Sequence, residues 1–435
     1  MLTARTYIKC PHCAAQFRAE DTLWVANRNS ECRDARVPNE PIRFSPRHFT
    51  PDAHALDAEN RECEAVACPH CHLQFDQEYL ETQPFMLTLA GGRRTGKTFF
   101  LTAMVWWMKR SLQNYGLELH ESCSELCTEW ARMIELLFPT RATGPAIKKL
   151  EYSCDATIAK SVFIPDSKMD TYDQNAPPGD HPVVLWTPAL YFINRTDDIS
   201  RKYAICLYDQ YELDLPAGTE FPPRTISGSI SLGDALFFFY DPVQNFHFMQ
   251  SPLLTARQAD AFNTQDDMND TTILDDPITV FNDMAKRIRA EYRNETGQRL
   301  SAMEKYDRPL VIVVTKCDVW KSLLPDTIQA HLNDDPVLST GKKLSLDSRI
   351  LQDVSDAILA LFAEYAPEFL NVVSAFATDV LFLPVSVTGV NCSVPDSDLG
   401  DENANLSRAG ASPVWVGVPL LYAMARHESP IITMR

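Results

Sequence analysis

The sequence predicts an α/β fold: a mainly parallel sheet flanked by helices, with a small cysteine-knuckle domain in front. Three observations carry this. Apolar runs at residues 85–90, 235–240, 309–314 and 380–386 have the length and unbroken hydrophobicity of strands buried on both faces. Helical periodicity stands between them, most clearly at residues 276–297 and 347–365. The tetrapeptide Cys-Pro-His-Cys occurs twice before residue 83.

The chain has 435 residues, with 45% hydrophobic and 23% charged residues, the ordinary balance of a globular protein. Its formal net charge of -18 argues against a general nucleic-acid or anionic-membrane surface. No apolar run reaches the length of a membrane span and the N-terminus lacks a signal pattern, so a cytoplasmic protein is expected. Twelve cysteines in such a chain point to metal at the closely spaced pairs rather than to a disulfide framework.

Residues 1–83 form the first predicted domain. Cys10-Pro-His-Cys13-Ala-Ala-Gln-Phe17 recurs as Cys68-Pro-His-Cys71-His-Leu-Gln-Phe75, identical at six of eight positions. A Cys-x-x-Cys turn points both sulfurs at one ion, and two turns complete a four-cysteine zinc site. Cys10, Cys13, Cys68 and Cys71 are therefore the zinc candidates, in a segment that resembles a zinc ribbon with 54 residues between its knuckles. Cys32 and Cys63 read as ordinary buried thiols, as a replacement for one ligand, or as part of a second site, and His12 and His70 read as exposed. The intervening stretch holds Arg28, Arg33, Arg36, Arg43 and Arg47, and a protein contact is expected there.

The second predicted domain, residues 84–435, opens on a strand, a glycine loop and a helix. Gly91-Gly92-Arg93-Arg94-Thr95-Gly96-Lys97-Thr98 satisfies G-x-x-x-x-G-K-[ST]. Its backbone N–H groups and helix N-terminus suit phosphates, Lys97 adds a point charge, and the Thr98 hydroxyl is a magnesium ligand. Residues 183–194 and 202–209 read as a hairpin, and Asp209 at its tip is the candidate to hold a magnesium-bound water. The strand at 235–240 ends in Asp241, and the helix after it has Asp276 as cap and Pro277 at its first position. The strand at 309–314 runs directly into Thr315-Lys316-Cys317-Asp318. A carboxylate at Asp318 accepts both N1–H and N2–H of guanine, a donor pair adenine lacks. Lys316 lies along the base, and Ser386, after the strand at 380–386, supports the base loop. A helix around residues 419–426 closes the chain.

This ordered set resembles the Ras-like and dynamin-like GTPases of the translation-factor class, over residues 84–426 with insertions around 114–182, 243–275, 320–346 and 391–412. With a ribbon in front, it is similar to the double GTPase group of bacterial conflict systems, which suggests antiviral defence. The resemblance implies a six-stranded sheet with one antiparallel edge, GTP or GDP with magnesium as ligands, and a switch that docks protein partners, with a nucleotide-dependent dimer among its forms. It implies a first-switch threonine at Thr140 or Thr143. The second switch departs from D-x-x-G: Asp209 is followed by Gln210, Tyr211 and Glu212, and no glutamine follows in the catalytic place. Gln210 and Glu212 are the candidates to position water. The Arg-Thr-Gly-Lys run resembles that of guanylate-binding proteins, which makes Arg94 a candidate internal finger beside Lys97. Two other readings stay open: a non-hydrolysing nucleotide-binding adaptor, and, against the net charge, a zinc-ribbon nucleic-acid NTPase.

Overall fold

The computed structural model describes residues 6–13, 15–37, 39–52, 54–122, 125–138, 159–164, 181–196, 202–208, 233–251, 275–291, 300–301, 303–340, 343–387, 389, 412–427 and 431–435. The first part is built of short strands: β1 Tyr7–Lys9 with β2 Gln16–Arg18, a sheet of β3 Leu23–Val25, β4 Arg43–Phe44, β7 Ala65–Ala67 and β8 Gln74–Asp76, and β5 Ala55–Leu56 with β6 Glu62–Cys63. The second part is a seven-stranded sheet. Its strands are β9 Gln83–Gly91, β10 Leu117–Glu121, β13 Ala189–Arg195, β14 Lys202–Tyr208, β15 Ala235–Tyr240, β16 Leu310–Val314 and β19 Val380–Pro384, in the order β10-β13-β14-β9-β15-β16-β19.

The sequence implied six strands with the antiparallel one at the edge; the structure corrects both points. β13 is antiparallel to β10 and to β14, so it alone runs against the rest and lies one place in from the edge. The edge itself is β10, returned by the left-handed Gly116 after helix α1, Lys97–Ser111. The expected strand over 183–194 is also two strands. Residues Thr187 and Pro188 break it, Pro188 lacking the N–H a ladder needs. β12 His181–Trp186 instead pairs with β11 Ala159–Ile164 in a separate ribbon.

Other helices are α2 Glu125–Leu137, α3 Phe246–Met249, α4 Pro277–Glu291, α5 Cys317–Trp320, α6 Asp326–His331, α7 Ser348–Tyr365, α8 Pro367–Phe376 and α9 Val418–Arg426. The cap expected for α4 forms, Asp276 accepting the Thr279 N–H at 3.0 Å, and Asp347 caps α7 in the same way, accepting the Arg349 N–H at 3.0 Å. The segment 320–346 is not an irregular insertion. It folds as α6 and two antiparallel strands, β17 Val337–Thr340 and β18 Lys343–Leu346, the second of which also pairs with β20 Ile432–Met434.

Side-chain parity decides how the first part joins the second. On β13 and β14 the odd-numbered Tyr191, Ile193, Tyr203, Ile205 and Leu207 face α1 and α2 in the main core. The even-numbered Leu190, Phe192, Ala204, Cys206 and Tyr208 share a second core with the four knuckle cysteines, Phe17 and Phe75. The cysteine knuckles therefore cover the face of β13 and β14 that α1 and α2 leave open. Polar ties fix the seam: Tyr208 donates to the Pro11 carbonyl, Lys202 meets Glu78 at 3.4 Å, and Lys9 meets Asp234 at 3.8 Å.

The arginine-bearing stretch also turns inward. Arg36 donates to the His70 carbonyl at 3.1 Å, and the buried Arg43 guanidinium to the His72 carbonyl at 2.8 Å. Arg28, Arg33 and Arg47 are the exposed cations of the five. Asp34 binds the stretch to the second knuckle, accepting from His72 at 3.0 Å and from the backbone N–H of Arg36, Val37 and Arg43. Although burial pushes the other way, the His72 bond and these N–H groups hold its carboxyl well below the usual range. Its contribution is thus fully present above the unfolded carboxylate value of about 3.9 and is lost as pH falls through the depressed folded value. Asp34→Asn should cost about 1–3 kcal/mol in urea unfolding at pH 7, and the gap to the parent should narrow below about pH 4.

Candidate functional site

The phosphate loop grows out of β9, which is buried between β14 and β15. Gly91 is needed at its end: φ is 149° and an added Cβ would stand 2.8 Å from the Phe239 carbonyl oxygen. The loop then alternates, with Arg94 at φ 58° and Gly96 at φ 88° in left-handed conformations. Alternation of this kind turns successive N–H groups to one side and makes an anion-binding concavity. The Thr95 hydroxyl closes the loop on the Gly92 carbonyl at 2.9 Å. Lys97 is buried, and its Nζ donates to the carbonyls of Gly91 at 3.0 Å and Gly92 at 2.8 Å. Helix α1 starts there without a side-chain cap or an acidic residue in its first turn, so neither offsets the positive end of its dipole.

The base loop is assembled two strands away. The Thr315 N–H reaches the Tyr240 carbonyl at 2.9 Å, the Cys317 N–H reaches Val385 at 3.0 Å, and the Trp320 indole reaches the Thr315 carbonyl at 2.7 Å. These bonds strap Lys316 and Asp318 to the ends of β15 and β19. The Ser386 hydroxyl donates to Asp318, and Ser386 accepts the Gly389 N–H at 3.0 Å. Burial raises the Asp318 carboxyl above its ordinary value, and the Ser386 bond pulls it part of the way back. Lys316 takes φ 55° and forms an ion pair with the buried Asp241 at 2.8 Å.

The structure thus brings Gly91, Gly92, Arg93, Arg94, Thr95, Gly96, Lys97 and Thr98 into one loop and Thr315, Lys316, Asp318 and Ser386 into another, both at the C-terminal ends of the parallel strands. That is where open α/β sheets bind ligands. Asp209, Gln210, Glu212, Thr140 and Thr143 lie outside the described residues. Three contacts were not expected. Gln244 donates to the Arg93 carbonyl at 3.2 Å, the Arg93 N–H reaches Asp275 at 3.2 Å, and Asp241 holds Lys316. Asp241 was visible as the acid at a strand tip; no local pattern marks Gln244 or Asp275.

The second centre is the cysteine cluster. The sulfurs of Cys10, Cys13, Cys68 and Cys71 are buried and all within 4.8 Å of one another, with Cys10 to Cys71 and Cys13 to Cys68 both at 3.8 Å. A tetrahedral zinc with Zn–S of about 2.3 Å requires sulfurs about 3.8 Å apart, so the donor set fits the ion. Backbone N–H groups of His12 and His70 point at Cys10 and Cys68 at 3.3 Å. Cys32 and Cys63 take no part in this cluster.

No known protein family and no curated protein matches the chain. Among solved structures, the chain is similar to the S. cerevisiae Ski7 GTPase-like domain bound to GTP, at 12% identity and a TM-score of 0.24. The match covers 73% of this chain and 47% of that one, so it spans about half of that structure's length. With so low a TM-score, the weight rests on the residues themselves. No helix among the described residues is long and apolar enough to cross a membrane.

Because the knuckles cover a sheet face, metal loss should be felt beyond them. Purified chain should carry about one zinc per molecule by atomic absorption. Cys71→Ser should abolish that zinc and lower the thermal midpoint by more than about 5 °C, since structural zinc contributes folding energy.

Proposed function

We propose that the chain binds GTP with magnesium across the two loops and hydrolyses it as a molecular switch. The observation that carries this is the Asp318 carboxylate held by Ser386 at the end of a strand, beside a phosphate loop tied to the same strand ends. Asp318 accepts guanine N1–H and N2–H, Lys316 lies along the base, and the Gly91–Thr98 loop takes the phosphates. Thr98 and Asp209 are the proposed magnesium ligands. Arg94 sits in a backbone conformation that costs a non-glycine residue about 1–3 kcal/mol, and strain of that kind persists where a side chain is being aimed. This supports it as the group that neutralises charge in the transition state, with Gln210 or Glu212 positioning water. Protein partners, assembly-dependent turnover and a setting in bacterial defence belong to the same reading. The division into a ribbon-like part, 1–83, and a nucleotide-binding part, 84–435, belongs to the same reading.

The test is phosphate release from GTP and from ATP over a range of chain concentrations, with Lys97→Ala as blank. GTP-selective turnover should appear, and Arg94→Ala should lower it by at least about tenfold. Specific activity rising with concentration supports self-assembly. Tight GTP binding without turnover selects the adaptor reading, which the missing second-switch glycine and glutamine favour.

Acid should also weaken GTP binding. Guanine needs Asp318 ionised, and its carboxyl is raised, so affinity should begin to fall at a pH above the ordinary carboxylate value of about 3.9. Affinity measured by fluorescent GTP titration from pH 8 to pH 4.5 checks this, with Asp318→Asn expected to bind weakly at every pH.

A further inference from the structure

Asp241 is a carboxylate with a fully buried side chain at the tip of β15, between the phosphate strand β9 and the base strand β16. A buried charge survives only with partners, and those of Asp241 come from both sides. One side is Lys316, whose Nζ lies 2.8 Å from Oδ2 while 43% of its side chain stays exposed. The head of this lysine is tied down and its methylene stem lies open, which is the geometry of a platform for a flat ring. The other side is the turn Pro242–Gln244, where the Val243 N–H donates to Asp241 Oδ1 at 3.0 Å. The Gln244 side chain also reaches the carboxylate, and its amide nitrogen donates to the Arg93 carbonyl at 3.2 Å. Arg93 in turn places its N–H on Asp275.

We propose that Asp241 is a positioning residue that couples the two loops: it orients Lys316 over the base and, through Gln244, sets the phosphate loop. The proposal rests on the GTP reading of the site. The Asp241 side chain is fully buried, so it acts through its partners. Removing its charge releases the Lys316 head to water, where an exposed ammonium is well solvated, and leaves Gln244 with one anchor in place of two. Base and phosphate affinities should then weaken together, and by a route that runs through Lys316.

The experiment is titration of the full chain with fluorescent GTP, and displacement of that probe by inorganic tripolyphosphate, for the parent, Asp241→Asn, Lys316→Ala, the double variant and Gln244→Ala. Asp241→Asn is isosteric, and circular dichroism checks its fold. It should weaken GTP at least about tenfold, and the double variant should be no weaker than the worse single, because residues acting through one contact are not additive. Gln244→Ala, which leaves the buried ion pair intact, should weaken tripolyphosphate and GTP by the same factor. Unchanged GTP affinity in folded Asp241→Asn, or full additivity with Lys316→Ala, would overturn the coupling alone. If Asp241→Asn does not fold, Gln244→Ala decides: unchanged tripolyphosphate affinity overturns the coupling. A parent chain that binds no guanine nucleotide overturns the site reading, and the coupling with it.

Discussion

A strand that is apolar on both faces needs two covers, and this requirement on β13 and β14 organises the rest of the molecule. Burial of apolar surface contributes about 25 cal/mol per Å². One face gets its cover from α1 and α2, as expected in an α/β sheet. The other gets it from a cysteine-knuckle unit too small to hold a core by its own hydrophobic area. Each part completes the other: the sheet lends the knuckles Met86, Phe192 and Tyr208, and the knuckles keep those side chains from water.

That arrangement sets what stands above it. β14 lies between the knuckle-covered edge and β9, and β9 delivers the glycine loop. Tyr208, the last residue of β14, is bonded to Pro11 inside the first Cys-Pro-His-Cys turn, and Asp209 follows it in sequence. The cysteine cluster is therefore tied to the strand that leads toward the proposed magnesium ligand. On the far side the tie between loops is electrostatic. Asp241 and Asp318 both have carboxyls raised chiefly by burial, and each is drawn part of the way back by opposing partners, Lys316 foremost for Asp241 and Ser386 for Asp318. The sign is opposite to that of Asp34: these two ionise at some cost in stability, relieved as pH falls through their folded values.

Much of this was legible in the chain because the signals are local. The apolar runs at 235–240 and 309–314 became β15 and β16 within a residue, since continuous apolar residues of that length have few other places to go. Asp276 capped its helix as its position required. Gly91 and Gly96 stand where the backbone needs positive φ, and the repeated Cys-x-x-Cys turns met at one point. The break at Pro188 was misread because an apolar run on either side of a proline looks continuous until its ladder partners are known. Helix α8 and strand β10 escaped notice because each is short and gains its order from packing.

By itself the sequence determined the chemistry available: four thiols in paired turns, a glycine loop ending in lysine and threonine, and a Thr-Lys-Cys-Asp after a strand. These depend on spacing along a few residues, where backbone geometry alone dictates direction. Only the tertiary structure decided that the knuckles close a sheet face, that Arg36 and Arg43 point inward, and that Asp241 and Gln244 join the two loops. Those contacts span tens to hundreds of residues, and whether a charge is buried beside a partner depends on which strands become neighbours.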